Sequence, residues 1–379
     1  MKENVLHIVD SFDQGGTERQ AVQLARLLTE AGNYRVQLAC LKRRGLLLGE
    51  AESLGLGEIV EFPLTSFYDK NFAMQLRRLK RLLREREIRI IHTHDFYTNI
   101  FGMTGAWLAR VPARIASKRE TAFRTAAQQR LERLSFKLAH KVVANAEAVR
   151  RRLVDEGTPA AKIVTLYNGL DTTRVRVPDG WQRETALTAL GLPLSPERKF
   201  ISIVANLRHR VKDIPLFLRA AQRVRAKVSD AAFVIAGEGE LLAEMQSEAA
   251  RLGISDDVFF IGRCTRVADL LAVSSACVLS SQAEGFSNSI LEYMAAGRAV
   301  VVTDVGGARE AVSEGESGYL VPAGDEAAMA ARLVELLSEP ERAQLMGERG
   351  RALVEQNFSC AAQLARTEDL YERLLATPT

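Results

Sequence analysis

The chain alternates short, mostly apolar runs with longer amphipathic stretches, many times over. "VLHIVDSF" (5–12) has the length and composition of a buried strand. "TERQAVQLARLLTEAG" (17–32) places apolar residues at helical spacing and closes on Gly32. "YRVQLACL" (34–41) predicts the next strand, "AMQLRRLKRLLREREI" (73–88) the next helix and "RIIHTH" (89–94) another strand. "ARIASKRE" and "KVVANAEAV" predict strands around a helix at 125–139, and "KIVTLYNGLD" (162–171) ends this half. "KFISIVANL" (199–207) restarts the rhythm, and "FVIAGEGE", "VFFIG", "ACVLSS", "AVVVTD" and "GYLVP" follow as strands with helices between them. Apolar strands that alternate with helices predict parallel sheets covered by helices on both faces.

At 379 residues the chain is long enough for two ordinary domains. Residues 1–175 and 199–357 carry the two runs of the rhythm. The stretch 176–198 holds Pro178, Gly180, Gly191, Pro193 and Pro196 and predicts a linker. The fold class is α/β, with two doubly wound, Rossmann-like parallel-sheet domains. No internal repeat or low-complexity segment interrupts it. In such sheets ligands bind beyond the carboxyl ends of the strands, so two of them facing each other predict a cleft.

Composition narrows the class of function. Hydrophobic residues make up 47% and charged residues 26%, enough apolar material for sizeable cores. The formal net charge of +4 is too small to indicate a nucleic-acid partner. The basic residues cluster, however. Seven of them in "RRLKRLLREREIR" (77–89) stand against Glu85 and Glu87, a net +5, beside a stripe of Leu76, Leu79, Leu82 and Leu83. This helix either packs its leucines on a sheet or rests a basic face on anionic lipid. Cys40, Cys264, Cys277 and Cys360 are scattered among apolar neighbours, as buried thiols in a reducing compartment are. The N-terminus enters a strand directly, and no apolar run approaches the ~18 residues of a membrane span. The expected location is cytoplasmic, with the cytoplasmic membrane face as an option.

The chemistry concentrates in "EGFSNSILEYMAAGRAVVVTDVGG" (284–307). A strand ends in "QAEGF", and a helix is expected to start at Ser287 or Asn288, both good N-caps. The free N–H groups of a helix start suit a phosphate. Glu292 lies one turn along from Asn288, where it is placed to accept hydrogen bonds from ribose hydroxyls. Glu284, on the other side of the turn, is placed to meet the hydroxyls of a group beyond the phosphate. The alternative is two solvated glutamates at helix ends. Gly15 and Gly16 between the first strand and helix, and Arg208, Arg210 and Lys212 in "ANLRHRVKD", are further phosphate candidates. "AGEGEL" (236–241), which contains Gly237, holds only part of a dinucleotide fingerprint, because residue 242 is Leu. His92 and His94 in "IHTHDF" alternate on a strand. His94, at its carboxyl end, suits a substrate contact, whereas His92 reads as a packed histidine. His7, His140 and His209 read as dispersed, and no metal site is expected.

Taken together, "GGTERQ", "IIHTHD", "VVANAEAV", "KIVTLYNGLD", "VANLRHRVKD", "FVIAGEGEL", "VFFIG", "EGFSNSILEYMAAGRAVVVTDVGGARE" and "GYLVPAGD" resemble, in order, the retaining glycosyltransferases of family 4, with the GT-B fold. The resemblance covers nearly the whole chain, and its specific part is the Glu-x7-Glu spacing of Glu284 and Glu292. It implies a nucleotide-diphosphate sugar as donor, UDP favoured over GDP, a sugar or lipid-linked acceptor hydroxyl, and no metal cofactor. It implies that Glu284 holds the donor sugar, that the amides of Gly285, Phe286, Ser287 and Asn288 meet the donor, and that Glu292 binds the ribose. Lys212 and Arg208 neutralise the leaving diphosphate, Gly15, Gly16 and Gly237 line the donor, and His94 contacts the transferred sugar or the acceptor. Arg119 and Glu120 in "SKRETAFR" fall on the acceptor side. The C-terminal segment 358–379 is expected to cross back onto the first domain. Two departures stand out: Ala205-Asn206 replaces the Gly-Arg frequent in the family, and the lysine sits one residue later than is common. Alternative functions are a nucleotide-sugar 2-epimerase of the same fold, or a silent sugar-nucleotide binder.

Overall fold

The computed structural model describes residues 2–13, 15–119 and 125–376. Seven strands form a first parallel sheet: β1 (Glu3–Val9), β2 (Tyr34–Cys40), β3 (Val60–Glu61), β4 (Ile88–Thr93), β5 (Ala113–Lys118), β6 (Lys141–Ala144) and β7 (Ile163–Thr165). Six form a second: β8 (Lys199–Val204), β9 (Ala231–Ala236), β10 (Val258–Gly262), β11 (Ser274–Leu279), β12 (Ala299–Thr303) and β13 (Tyr319–Val321). Their orders are β3-β2-β1-β4-β5-β6-β7 and β10-β9-β8-β11-β12-β13. The order reverses at β1/β4 in the first sheet and at β8/β11 in the second, and a doubly wound sheet opens its ligand crevice at such a reversal. Both units are therefore Rossmann-like, as the alternating pattern predicts. Residues up to Gly169, with the C-terminal helix Cys360–Ala376, form the first unit, and Leu170–Ser359 form the second.

Each sheet is apolar on both faces because helices cover both. In the first unit Val5, Val9, Leu38 and Ile90 pack with Leu24 and Leu28 of helix Gly16–Ala31 and with Leu370 and Tyr371 of the C-terminal helix. In the second, Ile201, Phe233 and Val301 pack with Phe217 of helix Ile214–Arg225 on one side. On the other side Phe200 and Val234 pack with Ala186 and Leu187. Those last two belong to helix Arg183–Ala189, so the stretch 176–198, expected to be a linker, contributes a helix to the core of the second unit.

Helix Phe96–Ala109 is not predicted by the sequence rhythm. It is buried around most of its circumference, so it shows no stripe, and its start is fixed by a capping box between Asp95 and Thr98. Gly102 and Gly105 let it pack tightly: a Cβ would lie 2.4 Å from Thr93 Cγ2 at the first and 2.5 Å from Leu79 Cδ2 at the second.

That Leu79 belongs to the basic helix, which runs Lys70–Glu85, and Leu79, Leu82 and Leu83 are all buried. Burial of a leucine is worth about 1.5–3 kcal/mol, against about 1 kcal/mol for a basic residue near anionic lipid. The leucine stripe is held in the core, and what the helix offers outward is charge. Among the described residues no helix is long and apolar enough to cross a membrane.

Candidate active site

In the second unit the reversal point gathers two loops. After β8 the chain runs through Arg208 to a single 3-10 turn, Arg210–Lys212. After β11 it runs through Ser280–Ser287 into helix Asn288–Ala295, with Ser287 at the N-cap position. The loops are stitched together by hydrogen bonds. Gln282 N donates to Val211 O at 2.8 Å, Ser280 Oγ to Lys212 O at 2.7 Å and Gln282 Nε2 to Asp213 Oδ2 at 3.0 Å. At their junction Lys212 Nζ donates to Glu284 Oε1 at 2.6 Å, and Ser281 Oγ donates to the same oxygen at 2.7 Å. Both charged side chains are mostly buried, 21% and 15% exposed, so the pair is screened far less than a surface one.

Glycines fix this geometry. Gly306 has φ +55°, and a Cβ there would fall 2.1 Å from Glu284 O. Gly307 N donates to Gly285 O at 2.8 Å. The Gly-Gly pair after β12 thus allows the backbone of 284–285 to lie against it. One turn into the helix Glu292 is half-buried, and the neighbouring Tyr293 hydroxyl accepts from Val204 N at 2.7 Å, tying the helix to the end of β8. Gly237 serves a similar close approach, since a Cβ there would meet Ala205 O at 1.8 Å. Arg208 is exposed and pairs with Glu238 at 3.5 Å, so it shares the loop of Lys212 but not its partner.

In the first unit a cavity of about 300 Å³ opens at the other reversal point, lined among others by Asp10, Glu18, His94, Ser117, Lys118 and Arg119. Gly15 precedes helix Gly16–Ala31 and Gly16 is its first residue. Lys118 donates to both oxygens of Glu132, at 2.8 and 2.9 Å, in a buried ion pair. Arg119 Nη1 donates to Asn168 Oδ1 at 2.8 Å. Among the described residues Arg119 Nε and His94 Nδ1 are buried with no hydrogen-bond partner. Glu120 lies outside the described residues.

The sequence reading of dispersed histidines is overturned. Strand register sets His7 opposite His92, and His94 follows at the strand's end, so the ligand atoms of all three lie within 4.8 Å of one another. Their rings lie within 16–35° of parallel. Their nitrogens are hydrogen-bond partners of one another, of Tyr371 and of Ser117. His92 is the packed, hydrogen-bonded histidine expected of it. His7 and Tyr371 were missed: His7 sits in an apolar run and Tyr371 in a charged amphipathic helix, and nothing in their neighbours announces a partner hundreds of residues away.

The Glycosyl transferases group 1 model matches residues 198–339, and the Glycosyltransferase Family 4 model matches residues 14–174. The chain belongs to glycosyltransferase family 4. Over 232 residues this family 4 member is 31% identical to the N-acetyl-alpha-D-glucosaminyl L-malate synthase of Bacillus anthracis, covering 60% of this chain and 59% of that one. It is 34% identical over 174 residues to EpsD of Bacillus subtilis (strain 168), covering 46% of this chain and 45% of EpsD. The matches thus span about half the length of these two relatives. HepE of Anabaena, crystallised in complex with UDP, shares the GT-B fold at a TM-score of 0.87. That match has 18% identity and covers 98% of this chain and 100% of the other.

The buried histidines should make the stability of this chain sensitive to acid. Burial, reinforced by Arg119, lowers His7 to about 3 and holds His92 and His94 well below the ordinary histidine range. Burial, with Arg114 and Lys162 nearby, lowers His140 to about 4. Each binds its proton in the unfolded chain near pH 6.5 but not in the folded one, so stability is complete above that pH and falls below it. Asp95, pushed up to about 7 chiefly by burial, acts in the opposite direction, as one group against four. The melting temperature should therefore drop between about pH 7.5 and about pH 5, and drop less in His92→Gln. Calorimetry across that range measures it, and a flat or rising profile contradicts it.

Proposed function

We propose that the chain moves a hexosyl or N-acetylhexosaminyl group from a nucleoside-diphosphate sugar to an acceptor hydroxyl with retention of anomeric configuration, in polysaccharide or glycolipid synthesis. The observation that carries this reading is the Lys212–Glu284 pair at 2.6 Å, set at the strand-order reversal beside the start of helix Asn288–Ala295. An ammonium has three N–H donors and Glu284 takes one, so Lys212 is equipped to receive a diphosphate oxygen as well. The amides of Gly285, Phe286, Ser287 and Asn288 take the rest of the donor's anionic group, Glu292 the ribose and Glu284 the sugar. Gly15, Gly16 and Gly237 let backbone approach the donor, and Arg208 adds positive charge from the loop of Lys212. In the first unit His94 and Arg119 contact the transferred sugar or the acceptor. The favoured donor is a UDP-sugar, as the solved complexes of HepE with UDP and with UDP-glucose support by analogy.

The reaction breaks the bond between the anomeric carbon and the diphosphate oxygen. It forms the new bond from the acceptor oxygen on the same face, and the acceptor's proton passes to the departing diphosphate. Catalysis is then positioning together with stabilisation of the negative charge that develops on that oxygen. The sequence has no Asp-x-Asp triplet to hold a metal on a diphosphate, and Lys212, Arg208 and the helix start carry positive charge instead. The protein works on the cytoplasmic side, and the exposed Arg77, Arg81 and Arg84 rest on anionic lipid beside a lipid-linked acceptor.

Transfer from UDP-sugars in excess chelator, followed by NMR of the product's anomeric proton, tests the reading. Retained configuration is expected, and Lys212→Ala should lower turnover about a hundredfold or more. Activity restored only by magnesium or manganese, or an inverted product, contradicts the reading, and donor consumed without acceptor points to an epimerase. The two glutamates separate by calorimetry with UDP alone: Glu292→Ala should weaken binding, while Glu284→Ala should leave it near wild type and reduce turnover. Equal losses of affinity would remove that division. Flotation with liposomes at low salt should show binding that rises with anionic lipid and weakens in Arg77→Gln/Arg81→Gln/Arg84→Gln. Binding indifferent to lipid charge, or none, refutes the membrane contact.

A further inference from the structure

A continuous line of buried hydrogen bonds runs through the first unit and ends at His94. Ser117 Oγ lies 2.8 Å from His92 Nε2, His92 Nδ1 is 2.8 Å from the Tyr371 hydroxyl, and that hydroxyl is 3.3 Å from His7 Nε2. His7 Nδ1 is 2.9 Å from His94 Nε2. The line draws on three strands, β1, β4 and β5, and on the C-terminal helix Cys360–Ala376. At its end His94 lines the cavity, with Nδ1 buried and without a partner among the described residues. Every member is at most 1% exposed.

A neutral imidazole has one N–H and one lone pair, so each histidine must donate on one side and accept on the other. The tyrosine hydroxyl likewise has a single proton. If all four contacts are hydrogen bonds, three proton orders are self-consistent. One has Tyr371 accepting from both His92 and His7, which strands the tyrosine proton and leaves His94 Nδ1 an unmatched acceptor; the other two run in a single direction. In one, Ser117 donates to His92, His92 to Tyr371, Tyr371 to His7 and His7 to His94, and His94 presents Nδ1–H. In the other every bond is reversed and His94 presents a lone pair. The reversed order strands the Ser117 proton, because among the described residues that hydroxyl bonds only to His92. It also leaves His94 Nδ1 as an unmatched acceptor. The forward order leaves one group unmatched, the His94 Nδ1–H itself, and a buried polar group without a partner costs about 1–3 kcal/mol.

We propose that Ser117, His92, Tyr371 and His7 form a tautomer relay that fixes His94 as an Nδ1–H donor towards the cavity, with His7 and Tyr371 as positioning residues. The donor fits an acceptor oxygen of a bound group, such as a sugar hydroxyl. Neutrality of the three imidazoles, which burial enforces, keeps the relay in a single proton count. The wiring stands by itself, and its effect on turnover rests on the transferase reading.

Nitrogen-15 NMR of histidine-labelled full-length protein near neutral pH reads the tautomers directly. His7 and His94 should each show a pyrrole-like Nδ1 and a pyridine-like Nε2. Tyr371→Phe keeps the ring and removes the hydroxyl, and should move both histidines to mixed, exchange-averaged shifts. Ser117→Ala, at the far end, should move His94 in the same direction, and supplies the test if Tyr371→Phe folds poorly. A wild-type His94 protonated on Nε2, or His94 shifts unmoved by the folded variants, overturns the relay. In transfer assays Tyr371→Phe should lower kcat on the order of tenfold with little change in KM for the nucleotide sugar. Shifted tautomers with unchanged turnover would uphold the relay and remove His94 from the transfer reading.

Discussion

Strand order governs both candidate sites. Where neighbouring parallel strands send their crossovers in opposite directions, the loops beyond their carboxyl ends diverge and leave a crevice that no connection fills. This happens at β1/β4 and again at β8/β11. Around the first crevice lie His94, Arg119 and the buried Lys118–Glu132 pair. At the second lie Lys212, Glu284 and the start of helix Asn288–Ala295. His94 and Lys118 sit at strand ends, Glu132 on a helix, and the loops that carry Lys212 and Glu284 are hydrogen-bonded to each other, so these positions follow from the framework behind them.

The cores hold these groups largely out of water. Ser281 and Lys212 both spend donors on one oxygen of Glu284, which leaves the carboxylate little freedom to rotate. Gly306 achieves the same for the backbone by having no Cβ to push residue 284 away. A substitution at that glycine therefore strikes a carboxylate 22 residues earlier in the chain.

Part of the second unit's candidate site was legible because it is local, although the Lys212–Glu284 contact spans 72 residues. Glu284 and Glu292 share one loop and one helix, so their spacing survives as a pattern in the sequence. The strand rhythm was legible for the same reason. Helix Phe96–Ala109 was not, because burial all round erases the periodicity on which such a reading depends. The basic helix was half legible: its stripe was visible, but only packing against Gly105 shows that the core holds it. The histidine cluster was legible only in part: His92 and His94 share one strand, but His7 lies on another. Two of its contacts join residues 279 and 364 positions apart, and only strand register and the docking of the last helix bring them together.

The last helix has a consequence for the time course of synthesis. Leu370 and Tyr371 complete the core around the first sheet, whose other contributors end near Gly169. A ribosome adding about 5–20 residues per second leaves roughly 10–40 s between the two. Through that interval the emerging N-terminal half carries an uncovered apolar patch and buried imidazoles without their hydroxyl partner, while the whole second unit is made. The unit that begins first is thus finished last, and a nascent chain stalled before residue 360 would expose to chaperones the surface that the final helix is built to cover.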